Sequence, residues 1–465
     1  MRAARTKTWM SADDARSVLV ATAVAAVALS LLAILLLGRY RGTPFEEDFL
    51  FTTIDQPPTS SPIAGYVVGK AGHVFGDFVV TYENVVRHPF NPFVSPVAYG
   101  TPYAPPVLVF LKGLFAIGSY KFQLWLFMFV SVVFMAMPAV WASRHLSWSN
   151  RVVVVSLFGL IPFPILIALD RGNPQSYVVP ALFFAALWIE RQQWSRSVVM
   201  IIVGTCIKLY PIVLVVPLLI KRQFKMAAAA CLGSALLILL ALTVFDGSLG
   251  HGVRGLLDIT SHHSGRQSAA DFYNFEFYNW SLAGALARFG ELTHVSRLVT
   301  FIADYSRVPG LLLFLGSAVA LAFSWRLLPS WARAVMYLAP TQLCVPISYP
   351  YAMTWVLIPI AFAIRPPGEM DGIGAKLAMP RWLQTSILVA LALAVSIKPT
   401  WSGVSVILDP STASWKNFAQ VLDPFLLTAA VSAIGAWGLL ARFRYGSENS
   451  GSAPNDVQGE TVTAS

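Results

Sequence analysis

Between residues 17 and 441 the chain returns repeatedly to apolar runs of about 20 residues, the length a helix needs to cross roughly 30 Å of hydrocarbon. Such runs have to be helical, because a lipid solvent offers no partner to an unpaired backbone N–H or C=O. Composition agrees: 56% of the residues are hydrophobic and 12% charged, about half the charged share of an ordinary soluble domain. The sequence therefore predicts an all-α, polytopic integral membrane protein.

The apolar runs fall near 17–38, 121–142, 151–169, 177–190, 226–245, 308–327, 332–349, 350–365, 382–398 and 421–441. Two more, 106–118 and 198–220, bring the expected total to between ten and twelve membrane helices. The second of these has basic residues at both ends and Lys208-Leu209-Tyr210-Pro211 at its middle, which predicts a broken or re-entrant hairpin. The first run follows Arg2, Arg5, Lys7 and Arg16 but is longer than a signal-peptide core and is followed by no small-residue cleavage site, so it is read as a retained helix.

Orientation follows from lysine and arginine in the short loops. With the N-terminus cytoplasmic, the cytoplasmic segments 1–16, 143–151, 190–197, 221–225, 325–333, 365–381 and 442–465 hold 18 of the 33 basic residues. Of the 23 acidic residues, 15 fall outside or at the outer boundary. Arg39 and Arg41, just past the first helix, run against this assignment; the short loops all support it. The expected organisation is a cytoplasmic N-terminus at 1–16, a membrane domain over 17–445 and a disordered cytoplasmic tail at 446–465. Two long outer loops span about 39–105 and 246–307, and the location is the plasma (inner) membrane with both termini inside.

The formal charge of +10 does not point to nucleic acid, because the basic residues form no stripe; they serve topology and contact with anionic membrane lipids. Cys206, Cys231 and Cys344 lie in apolar segments without ligand spacing. His262 and His263 are adjacent and point to different sides of any helix or strand, so no metal site is expected. There is no glycine-rich phosphate loop, HExxH or GxSxG, and no cofactor is called for.

The informative stretch is the first outer loop. From Asp77 to Arg87, Phe78, Tyr82 and Val85 recur at helical spacing opposite Glu83 and Arg87, which predicts a short amphipathic helix in the outer interface. Asp77 stands at its start, where a carboxylate can cap free backbone donors or do chemistry. Beyond it come Tyr103, Pro105 and Pro106, opening an apolar run.

An interface acid, a tyrosine soon after, and a Tyr-x-Pro-Pro element at a helix start resemble the polyprenyl-phosphate-mannose-dependent mannosyltransferases of phosphatidylinositol mannoside and related envelope pathways, which have the GT-C glycosyltransferase fold. The resemblance continues through Gly172-Asn173, through Lys208 and Pro211, and through Asn279, Ser281, Leu282, Gly284 and Arg288. It ends at Val345-Pro346-Ile347-Ser348-Tyr349-Pro350-Tyr351, where Tyr351 occupies the family's histidine position. It covers about 76–360. An insertion before Asp77 carries Asp48, a rival acid.

The resemblance implies inverting, metal-independent transfer of a hexose, above all mannose, from a polyprenyl-phosphate sugar to an envelope glycolipid or lipoglycan at the outer face. Inversion needs one base, for which Asp77 is the candidate. A single phosphate can be neutralised by cations in a dry site, with Lys208, Arg171 and Arg288 as candidates. Tyr82, Tyr103, Asn173, Asn279, Tyr349 and Tyr351 are candidate substrate contacts. Each has a plainer reading: Lys208 could snorkel, Arg171 could pair with Asp170, Arg288 could be a loop charge, Asn173 could cap the next helix, and Tyr349 and Tyr351 could be interface anchors. An arabinofuranosyltransferase of the same fold, or a transporter of a lipid-linked sugar, are the alternatives. A transporter, however, predicts paired midplane charges and related halves, and the chain displays neither.

Overall fold

The computed structural model describes residues 10–41, 76–87, 103–246, 248–265, 281–344, 348, 350–365, 379–396 and 418–450. Every regular element among them is helical, as an apolar solvent requires. The first half contains α1 (Ala12–Arg41), α2 (Gly76–Arg87), α3 (Pro105–Phe115), α4 (Tyr120–Ser143), α5 (Trp148–Val155), α6 (Phe163–Arg171), α7 (Gln175–Glu190), α8 (Trp194–Ile207), α9 (Val215–Ile220) and α10 (Phe224–Asp246). The second half contains α11 (Leu249–Gly265), α12 (Leu282–Leu292), α13 (Ser296–Asp304), α14 (Arg307–Ser324), α15 (Ser330–Leu338), α16 (Pro340–Leu343), α17 (Leu357–Ile364), α18 (Arg381–Val395) and α19 (Phe418–Ser450).

Among the described residues, Tyr120–Ser143, Phe224–Phe245, Arg307–Ser324 and Leu422–Arg444 are long and apolar enough to cross a bilayer. The run at 17–38, expected as a first span, lies within the 30-residue helix α1, which is not among these four. The run at 151–169 is not straight: a π turn at Ser156–Leu160 and then Pro162 and Pro164 bend it by 57°, since each proline lacks a donor and crowds the preceding turn.

The runs at 332–349 and 350–365 also differ from the continuous spans that hydropathy suggests. They fold as the short pieces α15 and α16, then a 3₁₀ turn at Pro350–Val356 and the eight-residue α17. Pro340 and Pro350 open two of these pieces. All of α15, α16 and α17 are buried inside the bundle, so their hydrophobicity serves a protein core rather than lipid. The stretch 246–307, expected as an outer loop, carries α11, α12 and α13.

Two apolar cores organise the molecule. The larger takes in α7, α15, α17 and α18, including Phe183, Trp355 and Leu391; the smaller joins α2, α3 and the start of α4 through Phe78, Leu108 and Phe127. Leu169 and Ile207 pack against both. The residues that follow them, Arg171 and Lys208, therefore emerge at the seam between the two cores.

At the opposite end of α7, Glu190 accepts from the guanidinium of Arg333, through Nε at 2.9 Å and through Nη2, and Arg333 also donates to the Trp325 carbonyl at 3.2 Å. Trp141 is flanked by Arg144 at 5.0 Å and Arg365 at 5.3 Å, and Met10 N donates to Gln384 Oε1 at 2.8 Å. These contacts each join segments that the charge distribution assigns to the cytoplasmic side.

Candidate active site

Asp77 lies in the first turn of α2. That helix is amphipathic, as expected, but its apolar face is spent on protein rather than offered to lipid. Phe78 packs 5.3 Å from Phe115 and 5.1 Å from Phe127, and Tyr82 packs 5.0 Å from both Phe115 and Tyr120. Tyr82 is thus an anchor of α2, and this packing aims Asp77 at the end of α6.

There the chain reverses at Gly172, whose φ of 60° is left-handed and suits a residue without Cβ. Gly172 N donates to the Leu169 carbonyl and Asn173 N to the Ala168 carbonyl, both at 2.9 Å, a closed helix end of the Schellman type. The turn brings two donors to one carboxylate: Arg171 Nη2 donates to Asp77 Oδ1 at 2.9 Å and Asn173 Nδ2 to Asp77 Oδ2 at 2.5 Å. Both oxygens of Asp77 are therefore engaged by α6 and its C-terminal turn rather than by backbone donors of its own helix.

Asn173 also serves the next helix and a neighbouring tyrosine. Its Oδ1 accepts from Gln175 N at 2.9 Å, capping α7, while its Nδ2 also donates to Tyr103 Oη at 3.1 Å.

Lys208 occupies the break between α8 and the 3₁₀ turn Tyr210–Leu214, in extended backbone at φ −141°, ψ 143°. Pro211 folds back over α8: an ideal Cβ on Gly204 would meet Pro211 Cβ at 3.1 Å. The apolar run at 198–220 is thus a hairpin with Lys208 at its tip. The ammonium sits 4.6 Å from the ring centre of Tyr351 and 5.7 Å from that of Tyr103, within reach of the Asp77 charge. Among the described residues it makes no ion pair.

The sequence reading missed Gln175. It is fully buried, and its Nε2 donates to Tyr210 Oη at 2.5 Å and Thr354 Oγ1 at 3.0 Å. One amide thus ties the start of α7 to the Lys208 hairpin and to the turn bearing Tyr351. The available signal was a polar side chain two residues past Asn173, at the mouth of an apolar helix.

Arg288 bonds to Glu291 one turn along α12, a helix that packs on α13, α19 and α14. Asp48, Asn279 and Tyr349 lie outside the described residues.

The assembled group is a carboxylate using two of about four acceptor sites, with Asp77 17% and Arg171 29% exposed at the side chain. Beside it stand a guanidinium and an ammonium held against aromatic faces. It can take a proton from a hydroxyl and neutralise one phosphate. The family model for glycosyltransferase family 87 matches residues 103–349, more than half of the chain.

The chain belongs to glycosyltransferase family 87.

Family 87 is a family of GT-C-type membrane glycosyltransferases, so the all-α membrane fold and the glycosyltransferase activity stand together. Membership decides for the enzyme over the transporter. The matched stretch holds Tyr103, Arg171, Asn173, Lys208 and Arg288, and begins after Asp77. Neither a curated protein nor a solved structure matches the chain.

Proposed function

We propose that this family 87 enzyme moves a hexose, mannose foremost, from a polyprenyl-phosphate sugar to an envelope glycolipid or lipoglycan, with inversion and without a metal, at the extracytoplasmic face of the plasma membrane. The observation that carries the proposal is the convergence of Asp77, Arg171 and Lys208 from three separate chain breaks, with the carboxylate oriented by Arg171 at 2.9 Å and Asn173 at 2.5 Å.

In the step, the acceptor hydroxyl attacks the anomeric carbon from the face opposite the phosphate. A new carbon–oxygen bond forms, the bond from that carbon to the phosphate oxygen breaks, and its electron pair leaves with the phosphate. The hydroxyl proton passes to Asp77, so the products are the glycosylated acceptor and polyprenyl monophosphate. General-base help of this kind is worth about 10²- to 10⁴-fold. Arg171 and Lys208 offset the charge that develops on the phosphate, a role a metal would otherwise fill.

A lipid-borne donor is supported by the apolar surface beside the cation: Leu209, next to Lys208, is 55% exposed. The outer location is supported by the basic short loops at the other end of the bundle. Mannose rests on the motif resemblance.

The test is an assay of membranes containing the protein, supplied in parallel with radiolabelled polyprenyl-phosphate mannose, glucose and arabinofuranose and with native lipid extract, followed by mass analysis of the product. Mannosyl transfer into a lipid product is expected. Transfer of arabinose alone would replace the sugar, and transfer only from a nucleotide sugar would overturn the donor.

A further inference from the structure

Tyr103 touches both halves of the proposed chemistry. Its hydroxyl accepts from Asn173 Nδ2 at 3.1 Å, and the same nitrogen donates to Asp77 at 2.5 Å. Its ring faces the Lys208 ammonium at 5.7 Å. The residue is 8% exposed, and Ala104 follows it in extended backbone before Pro105 and Pro106 start α3. Proline fixes φ and cannot donate at the first helical positions, so this entry into α3 is stiff. The ring also belongs to the smaller core with Leu108, Phe115 and Phe127, which limits its freedom further.

We propose that Tyr103 is a positioning residue with two separable tasks: its hydroxyl sets Asn173, and through it the Asp77 carboxylate, while its ring face seats Lys208. The proton acceptor Asp77 and the cation Lys208 must be held at a set separation around one anomeric carbon. A rigid residue tied to the first through Asn173 and to the second through its ring helps fix that separation, which positional tolerance in catalysis demands. Tyr351 also faces the ammonium, at 4.6 Å, so the lysine head rests against two aromatic rings.

This inference rests on the proposed roles of Asp77 and Lys208. The test uses the full-length protein in detergent with synthetic polyprenyl-phosphate mannose and native lipid extract, and compares Tyr103→Phe with Tyr103→Leu. Tyr103→Phe keeps the ring and removes the hydroxyl: kcat should fall about tenfold, the worth of one hydrogen bond near a charge, with donor KM unchanged. Tyr103→Leu removes both, so donor KM should also rise about fivefold or more, the scale of a lost desolvated cation–π contact. Should the leucine variant not extract in monodisperse form, Tyr103→Met serves in its place.

A residue that only supported the fold would lower thermal stability and the active fraction without dividing kcat from KM. Equal kinetics for Tyr103→Phe and the unaltered protein, with Asp77→Asn inactive, would overturn the hydroxyl role and leave the mechanism standing. An unchanged donor KM in the leucine or methionine variant would overturn the ring role. An active Asp77→Asn variant would instead remove the reading on which both rest.

Discussion

The side-chain amide of Asn173 donates to the Asp77 carboxylate at 2.5 Å, across 96 residues of chain. With Arg171 on the other oxygen, the carboxylate is fixed in direction, and among the described residues these two donors leave acceptor sites open. A carboxylate used only as a helix cap would not need partners from another helix.

Asp77→Asn should therefore abolish transfer, by about 10²- to 10⁴-fold in kcat, while the protein still folds and inserts. Asparagine caps a helix about as well as aspartate, so a capping role predicts near-normal activity. Asp48→Asn should be measured beside it. If that variant is dead and Asp77→Asn is active, the base is Asp48.

Lys208→Met should reduce kcat/KM by about 10²- to 10³-fold, comparable to removing one preorganised donor from a developing charge. Lys208→Arg should recover only part, because a planar guanidinium does not sit against the Tyr103 and Tyr351 rings as a compact ammonium does. A normal Lys208→Met enzyme together with a dead Arg288→Met enzyme would shift phosphate binding to α12.

Turnover should be unaffected by excess EDTA in the assay buffer, since the proposed mechanism assigns neutralisation of one leaving phosphate to Arg171 and Lys208. Activity lost to chelation and restored by Mg²⁺ or Mn²⁺ would favour a nucleotide or pyrophosphate donor.

Stability has a separate determinant at the other end of α7. Arg333 and Glu190 form an ion pair with side chains 9% and 1% exposed. Removing one partner strands a buried charge and costs about 3–5 kcal/mol. Arg333→Met should thus lower the melting temperature in detergent sharply, and the Arg333→Met, Glu190→Leu double variant should recover much of the loss. Specific activity of the folded fraction should hold, because α7, running from Gln175 to Glu190, places the pair about 22 Å from Gln175. A double variant no more stable than the single one would mean that the pair's geometry, not its charge balance, matters.

Cysteine labelling from intact cells should modify a cysteine placed at Ser60 or Ser264 and spare one at Ser450. Labelling at Ser450 in sealed cells would invert the orientation and move the Asp77 end of the bundle to the cytoplasm.

The helical class, the break at Lys208 and the short helix at Asp77 were legible because each is a local matter. Hydropathy fixes what must be helical in lipid, Pro211 interrupts a ladder of hydrogen bonds, and Phe78 and Val85 keep a 3.6-residue period. Asn173 was legible at the end of an apolar helix. Hydropathy alone could not tell that α15, α16 and α17 would be buried in protein rather than in lipid, since a core and a bilayer ask for the same side chains.

The partnerships were decided by tertiary structure. Arg171 had Asp170 as its neighbour in sequence, yet it reaches Asp77, 94 residues away. Arg288 turns to Glu291 on its own helix, Tyr82 is absorbed in aromatic packing, and Gln175 becomes the tie between Tyr210 and Thr354. Periodicity tells which face of a helix is apolar, but not which other helix end will meet it. That is settled when two cores pack and Leu169 and Ile207, shared by both, bring the residues after them to one seam.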